Sequence, residues 1–152
     1  MADLIDVPYV REFPYPVERA FAWLTDYADD DHERAGAIVR KREVLKREGN
    51  VVKLRGENEM RGMLLKGQAD IHLFPAEHRW EARFIEGAGR GSLYTYQLTP
   101  TAKGGSRLEV HYGIRARRFA SKLKVWLAKP IIKREIHQMW DGFDAAMKRE
   151  LG

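Results

Sequence analysis

Tyr94, Tyr96 and Tyr112 fall on the apolar parity of strand-like runs, which makes them the best-placed polar groups for a ligand or substrate. A buried phenol seeks a hydrogen-bond partner, and an unfilled one can hold a ligand oxygen. In an enzyme such a hydroxyl would donate a proton or orient an enolate, but that chemistry also needs a base. His72 and His111 sit on the opposite parity from the apolar residues and read as solvent-facing. His137 precedes Asp141 by four residues, a spacing that joins two side chains on one helix face, as ordinary surface pairs do. Asn58 and Glu59 close a run whose alternation is weak, so their direction stays open. No catalytic residue is assigned from these patterns.

Other chemistries are set aside by residue type. The acidic run Tyr27-Ala-Asp-Asp-Asp-His-Glu33 is rich in oxygen ligands, yet it lacks the glycine and closing acid of a calcium loop. Its aspartates suit the start of a short helix, where the backbone dipole favours negative charge, so no metal is expected. Gly87-Ala-Gly-Arg-Gly91 links two strands rather than a strand to a helix, and so is no phosphate cradle. The chain has no cysteine, which excludes thiolate catalysis, cysteine-based zinc sites and disulfides. No cofactor is expected.

The net charge of +5 hides an asymmetry. Residues 1–33 carry nine acids and two bases, whereas residues 115–134 carry eight bases and no acid. Within the basic block, Arg117, Arg118, Lys122, Lys124 and Lys129 interleave with Phe119, Leu123, Trp126 and Leu127. That is the composition of an interfacial helix, and it points to an anionic membrane surface as a transient partner, the alternatives being an acidic ligand, the chain's own acidic segment or a solvated helix face. Nucleic acid is not expected, because no binding motif is visible and the aromatic residues are expected on a covered face.

These groups need a frame to position them. The 152 residues are one domain's worth of chain, read as a single domain over 1–152. No apolar run is long enough to cross a membrane as a helix. The N-terminus has no signal-peptide pattern, and a cytoplasmic location is expected. Residues 3–13 read as a strand with Tyr9, Arg11 and Phe13 on one face, and Pro8 suggests an edge position or the strand's ragged start. Pro16 suits the first turn of a helix whose apolar stripe is Val17, Ala20, Phe21 and Leu24. Six period-two runs follow, roughly 38–48, 51–60, 62–74, 78–86, 91–99 and 106–117, with links short enough to imply an antiparallel meander. Each later run has one apolar and one polar face, so one side of the sheet must be covered. The cover is the C-terminal segment, where Ile132, Ile136, Met139, Trp140, Phe143, Ala146 and Met147 recur at helical spacing. It reads as helices over 119–129 and 131–151, or as one helix kinked at Pro130. One sheet closed by one long helix is an α+β arrangement.

This order, with three local features, resembles the START-like, birch-pollen-allergen-like (SRPBCC) superfamily, in particular its polyketide cyclase/dehydrase and lipid-transport branch. The features are Phe13-Pro-Tyr-Pro-Val-Glu-Arg-Ala-Phe-Ala-Trp-Leu-Thr-Asp26, the pair Tyr96-Gln-Leu-Thr-Pro100 and Gly104-Gly-Ser-Arg-Leu108, and Lys129-Pro-Ile-Ile-Lys-Arg134. The resemblance implies a helix-grip fold: a curved seven-stranded antiparallel sheet wrapped around a long C-terminal helix, with one or two short helices between strands 1 and 2. It also implies a cavity for a hydrophobic small molecule such as a lipid, quinone or polyketide. Trp80, Phe84, Tyr94, Tyr96 and Tyr112 would line the cavity from the sheet, and Met139, Trp140 and Phe143 from the helix. Binding without catalysis is the expectation. The alternatives are a cyclase or dehydratase, or a membrane- or partner-binding protein working through residues 115–134.

Overall fold

The computed structural model describes residues 4–27, 39–60, 63–87, 89–115 and 119–152, with backbone alone at 39–41, 58–60, 63–65 and 119–122. Strand β1 spans Leu4–Phe13 and helix α1 Val17–Leu24. Strands β2 (Val39–Glu48), β3 (Val51–Met60), β4 (Met63–Phe74), β5 (Arg79–Gly87), β6 (Leu93–Pro100) and β7 (Ser106–Arg115) then follow, and helix α2 spans Phe119–Leu151. The α+β expectation holds, and the strand boundaries agree with the periodicity to within about two residues. A second short helix between β1 and β2 falls outside the described residues, as does the acidic run beyond Tyr27.

The strands form one antiparallel sheet in the order β1-β7-β6-β5-β4-β3-β2. Strands β2 to β7 are a meander, and β1 returns to pair with β7 from Leu4↔Arg115 to Phe13↔Ser106. Strand β1 is therefore an edge, where Pro8 can be tolerated because one side of the strand needs no ladder donor.

The sheet is bent by irregular registers. Between β4 and β5 the pairing steps from Gln68↔Glu86 to Ala69↔Phe84, which leaves Ile85 as an extra, exposed residue. A bulge of this kind raises local twist and curls the strand. Two more irregularities interrupt the β2–β3 ladder.

Alternation sorts the faces as the sequence implies. Val7 and Phe13 of β1, Trp80 and Ala82 of β5, and Leu108, Val110 and Tyr112 of β7 are buried. Their neighbours Glu12, Arg83, Arg107 and Glu109 are exposed. Helix α2 covers the apolar face with Ile136, Trp140, Phe143, Ala146 and Met147, all buried. Pro130 lies inside a single continuous helix, so the two-helix alternative is resolved in favour of one. Pro16 sits just before the first turn of α1, and its carbonyl accepts from Ala20 N–H at 2.9 Å. The α1 stripe gains a member that spacing alone missed. Trp23 is buried, meets Phe143 edge-to-face at 6.1 Å, and donates from Nε1 to Glu150 Oε2 at 3.2 Å.

Candidate functional site

The pleat of β5, β6 and β7 turns Trp80, Phe84, Tyr94, Tyr96 and Tyr112 to the same face because they share parity within their strands. Register then sets them side by side: Trp80↔Tyr96, Ala82↔Tyr94 and Tyr94↔Tyr112 are direct partners. Trp80 stacks on Tyr96 with centroids 4.8 Å apart and rings 2° from parallel. Tyr94 meets Phe84 at 4.6 Å and Tyr112 at 4.7 Å, both edge-to-face. From α2, Trp140 Nε1–H donates to the Tyr112 hydroxyl at 2.8 Å, and Trp140 packs against Phe143 at 5.2 Å.

All eight aromatic and methionine positions expected from the sequence join one apolar cluster. They divide into two groups. Trp80, Tyr112, Trp140 and Phe143 are fully buried and act as core. Phe84, Tyr94, Tyr96 and Met139 keep accessible surface while packing against that core. The polar tips differ as well. Tyr112 is committed to Trp140, whereas no hydrogen bond reaches the hydroxyls of Tyr94 or Tyr96 among the described residues.

Electrostatics show how enclosed these phenols are. Burial pushes the Tyr94 hydroxyl up to about 12. Burial also raises Tyr96 well above the ordinary phenol range, with Tyr112, Tyr27 and Tyr94 adding to the shift and Arg42 opposing it. Tyr112 is raised too, mainly by burial, with the bond from Trp140 acting against it. All three therefore stay protonated near neutral pH and can act as donors, not as phenolate bases. Two members of this constellation were missed from sequence: Tyr27, buried beyond α1, and Arg42 on β2, whose guanidinium lies 5.7 Å from the Tyr27 ring centre. Tyr27 stood in an acidic run without periodicity, and Arg42 in a strand too charged to reveal its inner face.

Ionisable groups on α2 sort by side. His137 and Asp141 belong to a network with β1 rather than standing as an isolated surface pair. Arg11 Nη1 donates to Asp141 Oδ1 at 2.8 Å and to the Tyr9 hydroxyl at 3.1 Å, and Arg11 Nη2 donates to Asp144 Oδ2 at 3.3 Å. Tyr9 Oη lies 3.1 Å from His137 Nδ1. The Tyr9 hydroxyl thus joins Arg11 to His137, with the direction of its bond to Nδ1 set by the tautomer of the imidazole. This network fastens the helix to the edge strand. Elsewhere on α2, Glu135 has one buried carboxylate oxygen with no hydrogen-bond partner among the described residues. His111 is exposed and pairs with Asp6 at 3.0 Å, as its parity implies, while His72 is half-buried. The side chains of Asn58 and Glu59 lie outside the described residues. No group of metal-ligating side chains occurs among the described residues.

The Arg11 network carries a pH dependence. Its hydrogen bond from Arg11 holds the Asp141 carboxyl below the usual aspartate range. A carboxyl depressed in the folded state contributes stability above its unfolded value, and that contribution is lost as pH falls through the folded value. Arg11→Ala should therefore lower the urea midpoint at neutral pH. The difference from wild type should shrink below about pH 3.9, where unfolded aspartate protonates. A gap that stays constant across that range would remove the network from the pH response.

The basic segment is divided as well. Arg117 and Arg118 lie outside the described residues, and so does the Lys122 side chain. Lys124 and Trp126 are exposed and Lys129 is half-buried. Trp126 corrects the expectation that the aromatic residues share the covered face: it is 64% exposed, on the side of α2 away from the sheet. Val125, Ala128 and Lys129 are half-buried and continue the face of Ile132 and Ile136 towards the N-terminal part of α2, with Trp126 outside that face. Among the described residues no helix is long and apolar enough to cross a membrane.

No family model matches the chain, and no curated protein matches it. Solved structures do match in shape. The protein TTHA0849 from Thermus thermophilus superposes with a TM-score of 0.84 at 17% identity, covering 97% of this chain and 100% of that one. The Zhui aromatase/cyclase from Streptomyces sp. R1128 superposes with a TM-score of 0.80 at 12% identity, covering 98% and 96%. A START superfamily protein from Mycobacterium smegmatis follows with a TM-score of 0.77 at 12% identity, covering 95% and 97%. At such identities the likeness concerns the path of the backbone. The curved antiparallel sheet closed by one long helix, matched end to end in these structures, is the helix-grip fold of the START-like (SRPBCC) superfamily, and this chain has that fold.

Proposed function

We propose that this protein binds a hydrophobic small molecule, of the lipid, quinone or polyketide kind, between the concave face of the sheet and α2. The observation that carries this reading is the state of Tyr94 and Tyr96. Both are enclosed enough for burial to raise their hydroxyls, yet both keep accessible surface and neither hydroxyl has a protein partner among the described residues. Such hydroxyls are open to a ligand oxygen in place of water, while the faces of Phe84 and Met139 take the apolar body of the ligand. Since both phenols remain donors, the favoured ligand carries an acceptor such as a carbonyl or ether oxygen.

Native mass spectrometry of the freshly purified protein, followed by organic extraction, tests retention of cargo. A near-stoichiometric apolar species supports the reading and identifies the ligand class. Titration with menadione and with naphthalene then tests the tyrosines, because the two share a ring system and differ in the carbonyl acceptors. Tyr94→Phe combined with Tyr96→Phe should weaken menadione binding about tenfold, the worth of one to two net hydrogen bonds, and leave naphthalene unchanged. A clean apo mass together with no binding of either probe would mean that the aromatic side chains fill the space, and would overturn the proposal.

A second reading, a cyclase or dehydratase acting on an aromatic or polyketide-like substrate, draws on Glu135 and its unpartnered carboxylate oxygen. In that reading Glu135 takes a proton from a carbon next to a carbonyl while tyrosine donors hold the resulting enolate oxygen. Turnover of such a substrate that is lost in Glu135→Gln, with probe binding retained, would favour the enzyme over the carrier.

A further inference from the structure

The first half of α2 is amphipathic in the wrong direction for a core helix. Leu123, Trp126, Leu127 and Ile131 are all exposed, the middle two at 64% and 61%. At 100° per residue they fall in a sector about 140° wide from Trp126 to Ile131. That sector lies opposite the one through which Ile132, Ile136 and Phe143 face the sheet. Among the four tryptophans this exposure is unique to Trp126, since Trp23, Trp80 and Trp140 are 8%, 2% and 3% exposed. Exposed clusters of large apolar side chains on a globular protein mark a contact surface.

The charge around the stripe tells what it contacts. Lys124 and Lys133 flank the stripe and Arg134 lies within it, all three exposed and none with an ion-pair partner among the described residues, while half-buried Lys129 lies on the opposite side of the helix. No acid occurs anywhere from residue 115 to residue 134. The second half of the helix behaves differently: there Asp141 and Asp144 are both engaged by Arg11, and Lys148 pairs with Asp144. A second copy of the chain docking stripe on stripe would bring two sets of unpaired cations together, because a two-fold contact repeats the same patch on both sides. An anionic surface instead complements them. Pro130 lies in the stripe and has no N–H, so the carbonyl of Trp126 is left without its helical donor. That carbonyl still needs water, which is present at headgroup depth and absent from the hydrocarbon interior.

We propose that residues 123–134 form a shallow docking surface for anionic lipid bilayers, with Leu123, Trp126, Leu127 and Ile131 at the acyl boundary and the flanking cations among lipid phosphates. Tryptophan favours that depth, and each cation near an anionic bilayer strengthens partitioning by about fivefold. The proposal does not depend on what the sheet and helix enclose.

The test uses the full chain with vesicles of phosphatidylcholine alone or mixed with phosphatidylglycerol. At low salt the protein should co-sediment with the mixed vesicles and be released by high salt. Trp126 emission should move to the blue and be quenched by brominated lipid, and Trp126→Phe should remove that signal. Lys124→Glu with Lys133→Glu should reduce partitioning by at least about 25-fold without changing menadione binding or the melting temperature. Absence of partitioning at low salt, or partitioning indifferent to lipid charge and to the two reversals, would overturn the proposal. So would a concentration-dependent rise in mass that Trp126→Ala abolishes, which would assign the stripe to self-association. Failure of vesicle binding with probe binding intact separates this proposal from the ligand reading, and the reverse outcome separates them equally.

Discussion

Trp140→Ala is expected to lower the unfolding free energy by about 3–5 kcal/mol, the usual cost of deleting a buried tryptophan. Trp140 is 3% exposed and is the central tie between α2 and the sheet. It stacks with Tyr9 at 6.3 Å, meets Phe13 at 6.2 Å and Phe143 at 5.2 Å, and donates to the Tyr112 hydroxyl at 2.8 Å. Alanine opens a cavity where two elements meet, and the surrounding rings are too interlocked to collapse into it fully. For a chain of this size the melting temperature should drop on the order of 10 °C. Trp140→Phe separates packing from the hydrogen bond. It keeps most of the ring area and removes the donor, so its loss should fall near 1–2 kcal/mol. Urea unfolding followed by far-UV circular dichroism measures both. Equal losses for the two variants would mean that the hydrogen bond, and not the ring packing, anchors the helix.

Gly87→Ala is expected to cost about 2–5 kcal/mol, adding a strained backbone to an overpacked contact. Gly87 has φ +92°, a conformation that side-chain-bearing residues rarely adopt, and it stands beside the β4–β5 bulge. A Cβ there would overlap the Lys66 carbonyl oxygen and come within 2.6 Å of Gly67 Cα. Both are backbone atoms, so relief requires the strands to separate or shift register. The bulge also curls the sheet beneath Phe84 and Tyr94, so the variant should lose probe binding together with stability. Gly49→Ala serves as the control. Gly49 also has a positive φ, but its Cβ would meet nothing within 4 Å, so the cost there should be that of the backbone alone, about 1–2 kcal/mol. Equal destabilisation by the two substitutions would show that the close approach at Gly87 contributes nothing.

Much of this protein is determined by sequence periodicity. The alternation of Trp80, Ala82 and Phe84, of Tyr94, Tyr96 and Leu98, and of Leu108, Val110 and Tyr112 settles both the strands and their inner face. Side chains in a strand must point to opposite sides, and only one side is kept from water. The spacing of Ile132, Ile136, Trp140 and Phe143 likewise determines the closing helix. The short links between runs determine an antiparallel order, whereas Pro8 leaves an edge strand and a ragged strand start both open until the topology places β1 at the edge.

Tertiary structure decided what depends on partners far apart in sequence. It divided the eight expected aromatic and methionine positions into four that are core and four that keep accessible surface, because burial depends on what stands opposite and not on the residue's own parity. It drew Tyr27 and Arg42 towards Tyr96 from segments with no readable period. It turned His137 and Asp141 from a local pair into part of a clamp, because Arg11, some 130 positions earlier, lies across from them on β1. It placed Trp126 on the outside, because α2 presents the face of Val125, Lys129, Ile132 and Ile136 to the rest of the protein and Trp126 lies away from that face.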